Sequence, residues 1–179
     1  ERLDSRVAKI SLLPGFLGYQ IREQDLTLLV AEFLSSQKSS LKDGLFTIFA
    51  EIKRLREVFK QDISKLNLLN QIERISKNAP LVPVHGDLQK QNIIIADGQL
   101  GLIDFEHFLW APQELELCNS LFFNDGNCLQ VDLILKELPV RIVNRKRLRA
   151  MLQFYALKQI AQGMDTKTAL KRLDNILSY

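Results

Sequence analysis

Three polar residues in the middle of the chain have the types and the spacing to do chemistry. Asp87 and Asn92 stand five positions apart in His85-Gly86-Asp87-Leu88-Gln89-Lys90-Gln91-Asn92, and Asp104 follows twelve positions later. Between them, Ile93-Ile94-Ile95-Ala96 reads as a strand, Asp97-Gly98 as a two-residue hairpin turn, and Gln99 to Ile103 as the return strand. A tight hairpin brings its two ends together. Asn92 and Asp104 are therefore expected side by side, with Asp87 on the adjoining loop. Two carboxylates and an amide at one strand edge offer oxygen ligands of the kind hard Mg2+ prefers, with phosphate oxygens and water completing its shell. A further group free to accept a hydroxyl proton would complete a phosphoryl-transfer arrangement. Singly, Asp87 would pass for a turn residue, Asn92 for a strand start and Asp104 for a helix cap. Their joint spacing around one hairpin favours a site.

The flanking sequence supplies elements to hold that hairpin. Residues 1 to about 13 have Leu3, Val7 and Ile10 on one helical face, and Pro14-Gly15 ends the pattern. Phe16 to Arg22 and Leu26 to Leu34 are rich in β-formers around polar Glu23-Gln24-Asp25, which predicts a hairpin. Ser35 to Ser40 is a polar connector. Leu41, Leu45, Ile48, Phe49, Ile52, Leu55 and Phe59 then predict a long amphipathic helix, and Leu66, Leu69, Ile72 and Ile75 a second one from about Asp62 to Lys77. Leu81 to Val84 is a short apolar stretch. From Pro112 onward the pattern is helical over 112–123, 128–138, 144–162 and 166–178. The order predicts an α+β fold with a mostly helical body.

Composition narrows the function classes. The 179 residues are 46% hydrophobic and 25% charged, which suits a globular domain and excludes wholesale disorder. Net charge is only +3, and no aromatic residues interleave the basic run Arg141, Arg145, Lys146, Arg147 and Arg149, so nucleic-acid binding is disfavoured. That run reads as a solvated helix start or, more sharply, as a patch for an anionic acceptor or partner. The charge is uneven: residues 136–179 hold ten basic and three acidic side chains, leaving residues 1–135 acidic on balance. The two cysteines, Cys118 and Cys128, form no CxxC pair and sit in no Cys/His cluster, which disfavours a zinc site or disulfide framework and fits a reducing, cytoplasmic setting. No apolar run approaches the ~20 residues of a membrane span. No GxxxxGK[ST] or GxGxxG loop occurs.

The block His85 to Asn92, followed by Leu102-Ile103-Asp104-Phe105-Glu106, resembles the aminoglycoside phosphotransferase and choline kinase-like family, a branch of the protein-kinase-like fold. Asp followed by Asn five positions on matches the kinase catalytic loop, and Asp104-Phe105-Glu106 takes the place of Asp-Phe-Gly. The resemblance implies that Asp87 orients the acceptor hydroxyl and takes its proton, while Asn92 and Asp104 hold Mg2+ bridging the phosphates of ATP. Ala31-Glu32-Phe33-Leu34 resembles the interlobe hinge, with adenine against the backbone of Ala31, Glu32 and Phe33 and Ile103 as an apolar floor. Pro112 to Leu117 loosely resembles the family's Pro-x-x-Asp-Leu helix start. The spacing is one residue longer and Glu116 stands where Asp is usual, so Glu116 receives no role. His85 is expected to pack beneath the loop. Lys90 reads as a solvated loop lysine or a phosphate ligand, and Glu106 as a support for the metal shell or a cap.

Only Phe105 to Ala111 separates Asp104 from the helix expected at Pro112, and no Ala-Pro-Glu follows. So short a segment leaves little platform for a peptide. The expected acceptor is a small hydroxyl compound: an amino-alcohol, an aminoglycoside or a sugar-like molecule. An amino-alcohol would favour an acidic pocket. By the same resemblance, residues 1–34 are a remnant of a nucleotide-binding lobe and 35–179 a catalytic and acceptor-binding lobe. The phosphate-binding Lys and glycine loop are expected upstream of Glu1, and residues 1–179 alone are expected to be nearly inactive. The rival reading is a pseudokinase or scaffold, if no upstream lobe exists.

Overall fold

A computed structural model describes residues 16–17, 22–36, 46–96, 99–123, 130–137 and 143–177. After the short strand β1 (Phe16–Leu17) the chain enters helix α1 (Glu23–Ser36). The hairpin expected over 16–34 is corrected here. Leu26, Val30 and Leu34 recur every fourth residue and are buried, while Leu28 and Glu32 face out. That is a helical stripe, and its period outweighs the β-forming residue types. Ala31, Glu32 and Phe33 therefore lie inside a helix, and the extended hinge expected there is helical instead. The boundary expected after Leu34 falls within α1. Near its C-terminus, where carbonyls lack intrahelical partners, the Ser36 hydroxyl donates to Phe33 O at 2.8 Å and the Gln113 amide to Leu34 O. The helix expected over 1–13 and most of the 35–40 connector lie outside the described residues.

Helix α2 (Ile48–Val58) starts where Thr47 Oγ1 accepts from Ala50 N at 3.3 Å. It buries Ile48, Ile52 and Leu55. Helix α3 (Ile63–Lys77) is capped by Asp62, which accepts from Lys65 N at 3.0 Å, and buries Leu69 and Ile72. An ion pair between Arg56 and Glu73 ties the two helices together.

Strand β2 (Val82–Val84) follows, then the hairpin of β3 (Ile93–Ala96) and β4 (Gln99–Leu102), with Ile93 opposite Leu102 and Ala96 opposite Gln99. β1 pairs antiparallel with β3, giving the sheet order β1-β3-β4. β1 is thus a third strand of the β3–β4 sheet, paired across the chain and not with its sequence neighbour. The segment after Asp104 is more ordered than a plain connector: a 3₁₀ turn (Phe105–His107) leads to strand β5 (Leu109–Ala111), which pairs antiparallel with β2.

The helical pattern from Pro112 begins as a 3₁₀ turn (Gln113–Leu117) and continues as α4 (Cys118–Phe123). Helices α5 (Val131–Glu137), α6 (Arg145–Ala161) and α7 (Thr166–Leu177) complete the chain. α6 is the central helix. Ala150, Met151, Leu152 and Phe154 to Leu157 are buried on it, against α3, α7, α4 and α2. The main core joins α2, α3, β2, β5, α4, α6 and α7. A second core gathers α1, Leu88, β3, Leu117 and α5. The site hairpin packs in this second core through Ile93 and Ile95. Among the described residues no helix is long and apolar enough to cross a membrane.

Leu55 is fully buried and Val58, three residues on, is half exposed. Leu55→Ala should therefore lower unfolding free energy by about 2–5 kcal/mol, and Val58→Ala by less than about 1 kcal/mol. Urea denaturation of both variants checks the orientation of α2; equal losses would contradict it.

Candidate active site

The catalytic-loop segment is fixed from below by one buried carboxylate. Glu116, in the 3₁₀ turn before α4, is 1% exposed. Its Oε2 accepts from His85 N at 2.8 Å and its Oε1 from Gly86 N at 3.1 Å. These bonds splice the start of the loop to an element thirty residues away in sequence. Gly86 has φ +80°, and a Cβ there would lie 2.5 Å from the His107 carbonyl oxygen. Only glycine fits both the backbone conformation and the space. His85 is buried, and its Nε2 lies 2.7 Å from Ile103 O. A carbonyl can only accept, so Nε2 carries the proton. The ring also meets Phe105 edge-on at 4.9 Å. His85 thus bolts the loop to the strand end just before Asp104.

Asp87 follows directly and is gripped by three amides. Oδ1 accepts from Gln89 Nε2 at 2.7 Å and from Asn119 Nδ2 on α4. Oδ2 accepts from Asn92 Nδ2 at 3.1 Å, and the same nitrogen donates to Asp87 O at 2.9 Å. Each carboxylate oxygen has two lone-pair directions. Oδ1 has used both, which leaves one open on Oδ2. This is more than a turn residue requires.

Asn92 closes the short 3₁₀ turn Lys90–Asn92, with Lys90 half-buried at its start. Across the hairpin, Ile103 N donates to Asn92 O at 3.0 Å. Asn92 therefore lies opposite the residue before Asp104, as the hairpin geometry anticipates. Asp104 is the one non-glycine with positive φ among the described residues, at φ 65° and ψ 65°. Aspartate tolerates the left-handed region better than most residues, at a cost on the order of 1–3 kcal/mol. It occupies the N-cap position of the 3₁₀ turn Phe105–His107, yet its side chain makes no capping bond and is exposed. Capping does not explain it. Glu106 is 69% exposed, 3.4 Å from His107 Nε2.

A pocket of about 440 Å³ opens beside the loop, touching Gly86, Glu106 and Phe108 on one side and α2 and α6 on the other, where Glu51, Arg54 and Lys158 line it. Trp110 packs against the main core, and its backbone N–H donates to Phe46 O at 2.8 Å. Within the basic run, Arg145, Lys146 and Arg149 are exposed, but Arg147 turns inward to Glu114, whose Oε1 also accepts from Asn144 N at 2.8 Å. Part of that run is a buried structural pair, not a patch; Arg141 lies outside the described residues. The Cys118 thiol is buried, donates to Glu114 O, and burial pushes its pKa well up. Cys128 lies outside the described residues.

The profile of a family described as a phosphotransferase enzyme family matches residues 11–136. The chain belongs to this family. Among solved structures, a thermostable mutant of aminoglycoside phosphotransferase APH(4)-Ia in its apo form superposes with TM-score 0.63 at 17% identity, over 93% of this chain and 70% of that one. The choline kinase LicA from Streptococcus pneumoniae gives 0.55 at 17% identity, over 86% of this chain and 63% of that one. An ethanolamine kinase of Plasmodium vivax gives 0.56 at 16% identity, over 92% and 62%. At these identities the likeness is one of fold: protein-kinase-like, α+β, with a helical body. Comparison with curated protein sequences finds no match.

Sequence reasoning missed Glu116, Asn119 and Lys158. Glu116 had a signal, its place in a proline-led helix start, but the altered spacing obscured it. Asn119 follows it by three residues, about one helical turn on, and had none. Burial pushes the Glu116 carboxyl from its ordinary 4.5 up to about 7, against the two N–H bonds and with some help from the charge of Asp87. Between those two pH values the folded phosphotransferase holds a proton that the unfolded chain has released. The contribution of Glu116 to stability should therefore fall as pH rises from about 4.5 to about 7, by on the order of 3 kcal/mol in full. Thermal melts of the parent and Glu116→Gln across that range check this: the variant should lack this decline, and an identical slope would contradict it.

Proposed function

We propose that this phosphotransferase moves the γ-phosphoryl group of ATP to a hydroxyl of a small molecule, assisted by Mg2+. The observation that carries the reading is Asp87, a carboxylate locked by three amide donors with one lone pair open on Oδ2, beside Asn92 and Asp104 across the hairpin. The acceptor O–H donates to Oδ2, which takes the proton as the acceptor oxygen bonds to the γ-phosphorus. The bond from that phosphorus to the β–γ bridging oxygen breaks, and ADP leaves with the electron pair. Little covalent work falls to the protein; positioning and charge neutralisation do most of it.

The donors suit a hard divalent cation. The Asn92 amide spends its nitrogen on Asp87, which leaves its oxygen for a metal. Asp104 offers a carboxylate committed to no cap. Among the described residues no three or more His, Cys, Asp or Glu gather to hold a metal by themselves. Asn92 and Asp104 would thus share Mg2+ with phosphate oxygens and water. When bound, the ion would neutralise charge on the β- and γ-phosphates. Support for nucleotide use and a small acceptor comes from a structural relative: APH(4)-Ia forms a ternary complex with AMP-PNP and hygromycin B.

The test is Mg2+-dependent ADP release by the full-length protein over a panel of hydroxyl acceptors. Asp87→Asn should lower acceptor-dependent release by about 10²- to 10⁴-fold while the fold survives. Release as fast as the parent's would remove Asp87 from the role of base.

A further inference from the structure

The pocket beside the loop holds a lysine that makes no ion pair among the described residues. Glu51 is spent on Arg54 through two parallel bonds of 2.9 and 2.6 Å, so that pair neutralises itself. Glu106 sits at the exposed edge beside His107. Lys158 comes from the middle of α6, is half-buried, and lines the same pocket. No carboxylate among the described residues comes within ion-pair distance of it. Burial lowers its pKa, while the more distant charges of Glu51, Asp87 and Glu106 pull the other way and Arg54 adds to the lowering. Partial burial desolvates the ammonium in part, in the cavity adjoining Gly86, and leaves it open to a ligand there.

A cationic acceptor such as an amino-alcohol would bring like charge against Lys158. An acceptor with an oxyanion would supply the missing partner. Phe108, Tyr155 and Phe154 offer apolar wall for a carbon skeleton between the two ends. Of the basic residues in the last helices, Lys158 is the one that lines this pocket.

We propose that the acceptor bears a carboxylate or phosphate in addition to its hydroxyl, and that Lys158 is the residue that binds this oxyanion. The inference rests on reading the chain as a small-molecule phosphotransferase with this pocket as its acceptor site.

The experiment uses the full-length protein with Mg2+ and ATP. One arm holds hydroxy-carboxylates (glycerate, gluconate), a second hydroxy-phosphates (glycerol 3-phosphate), and a third cationic alcohols (ethanolamine, choline, kanamycin). The same compounds are tested for thermal stabilisation of the Asp87→Asn variant, which reads binding without turnover. Expected are ADP release and stabilisation with one anionic arm and neither with the cationic arm. Lys158→Met should raise the KM for that acceptor about tenfold or more, equivalent to about 1.4 kcal/mol, with the KM for ATP unchanged and partial recovery in Lys158→Arg. Asp87-dependent turnover of cationic acceptors alone would overturn the role of Lys158 and leave the phosphotransferase reading standing. An effect of Lys158→Met on ATP and not on acceptor would do the same. Stabilisation by an anion that Lys158→Met abolishes, without turnover in any arm, would support the anion site and overturn the phosphotransferase reading. Neither turnover nor stabilisation in any arm would overturn both.

Discussion

Two backbone N–H groups on one buried carboxylate hold this site in place. Glu116 accepts from His85 and Gly86 at 2.8 and 3.1 Å, with almost no exposure to solvent. Burying a carboxylate is expensive, and these bonds offset part of the cost, leaving the pKa raised to about 7. They add to the β2–β5 pairing and the His85–Ile103 bond in anchoring the loop start to the body. Everything chemically significant then follows within a few residues. Gly86 passes under His107 where no side chain fits, and Asp87 emerges into the reach of Gln89, Asn92 and Asn119.

The hairpin supplies the second half of the geometry. β3 and β4 carry Asn92 and Asp104 to the same end, and the Ile103–Asn92 backbone bond sets their relative height. His85 ties this end to the loop through the Ile103 carbonyl. The left-handed backbone at Asp104 is a local strain that the surrounding bonds over-determine. The site is thus built from short local elements on a rigid helical frame, with α2 and α6 walling the adjoining pocket.

The parts legible in sequence are those governed by short-range spacing. The β3–β4 pairing and helices α2, α3, α6 and α7 follow from turn chemistry and apolar period, and the spacing that singles out Asp87, Asn92 and Asp104 is equally local. The segment 26–34 misled because its β-forming residue types are common to buried helices. Its true signal was the fourfold spacing of Leu26, Val30 and Leu34. β1 lies inside the strand expected over 16–22, but its partner, β3, is distant in sequence and could not be read, and β5 was missed for the same reason. Asn119 and Lys158 reach the site only through tertiary packing, so no local pattern marks them, while Glu116 carried only the obscured mark of a proline-led turn. Arg147 shows the converse: it stood in a run that looked like a surface patch, yet a single long-range partner, Glu114, draws it inward.

The central claim is that the Glu116 bridge positions Asp87 for proton transfer. Hydrogen exchange of the His85 and Gly86 amides, measured with ADP release in the full-length parent and Glu116→Ala, tests it most directly. The account predicts that both amides lose protection in the variant and that kcat falls by about a hundredfold, with the KM for ATP little changed. Lost protection at both amides with kcat unchanged would contradict it.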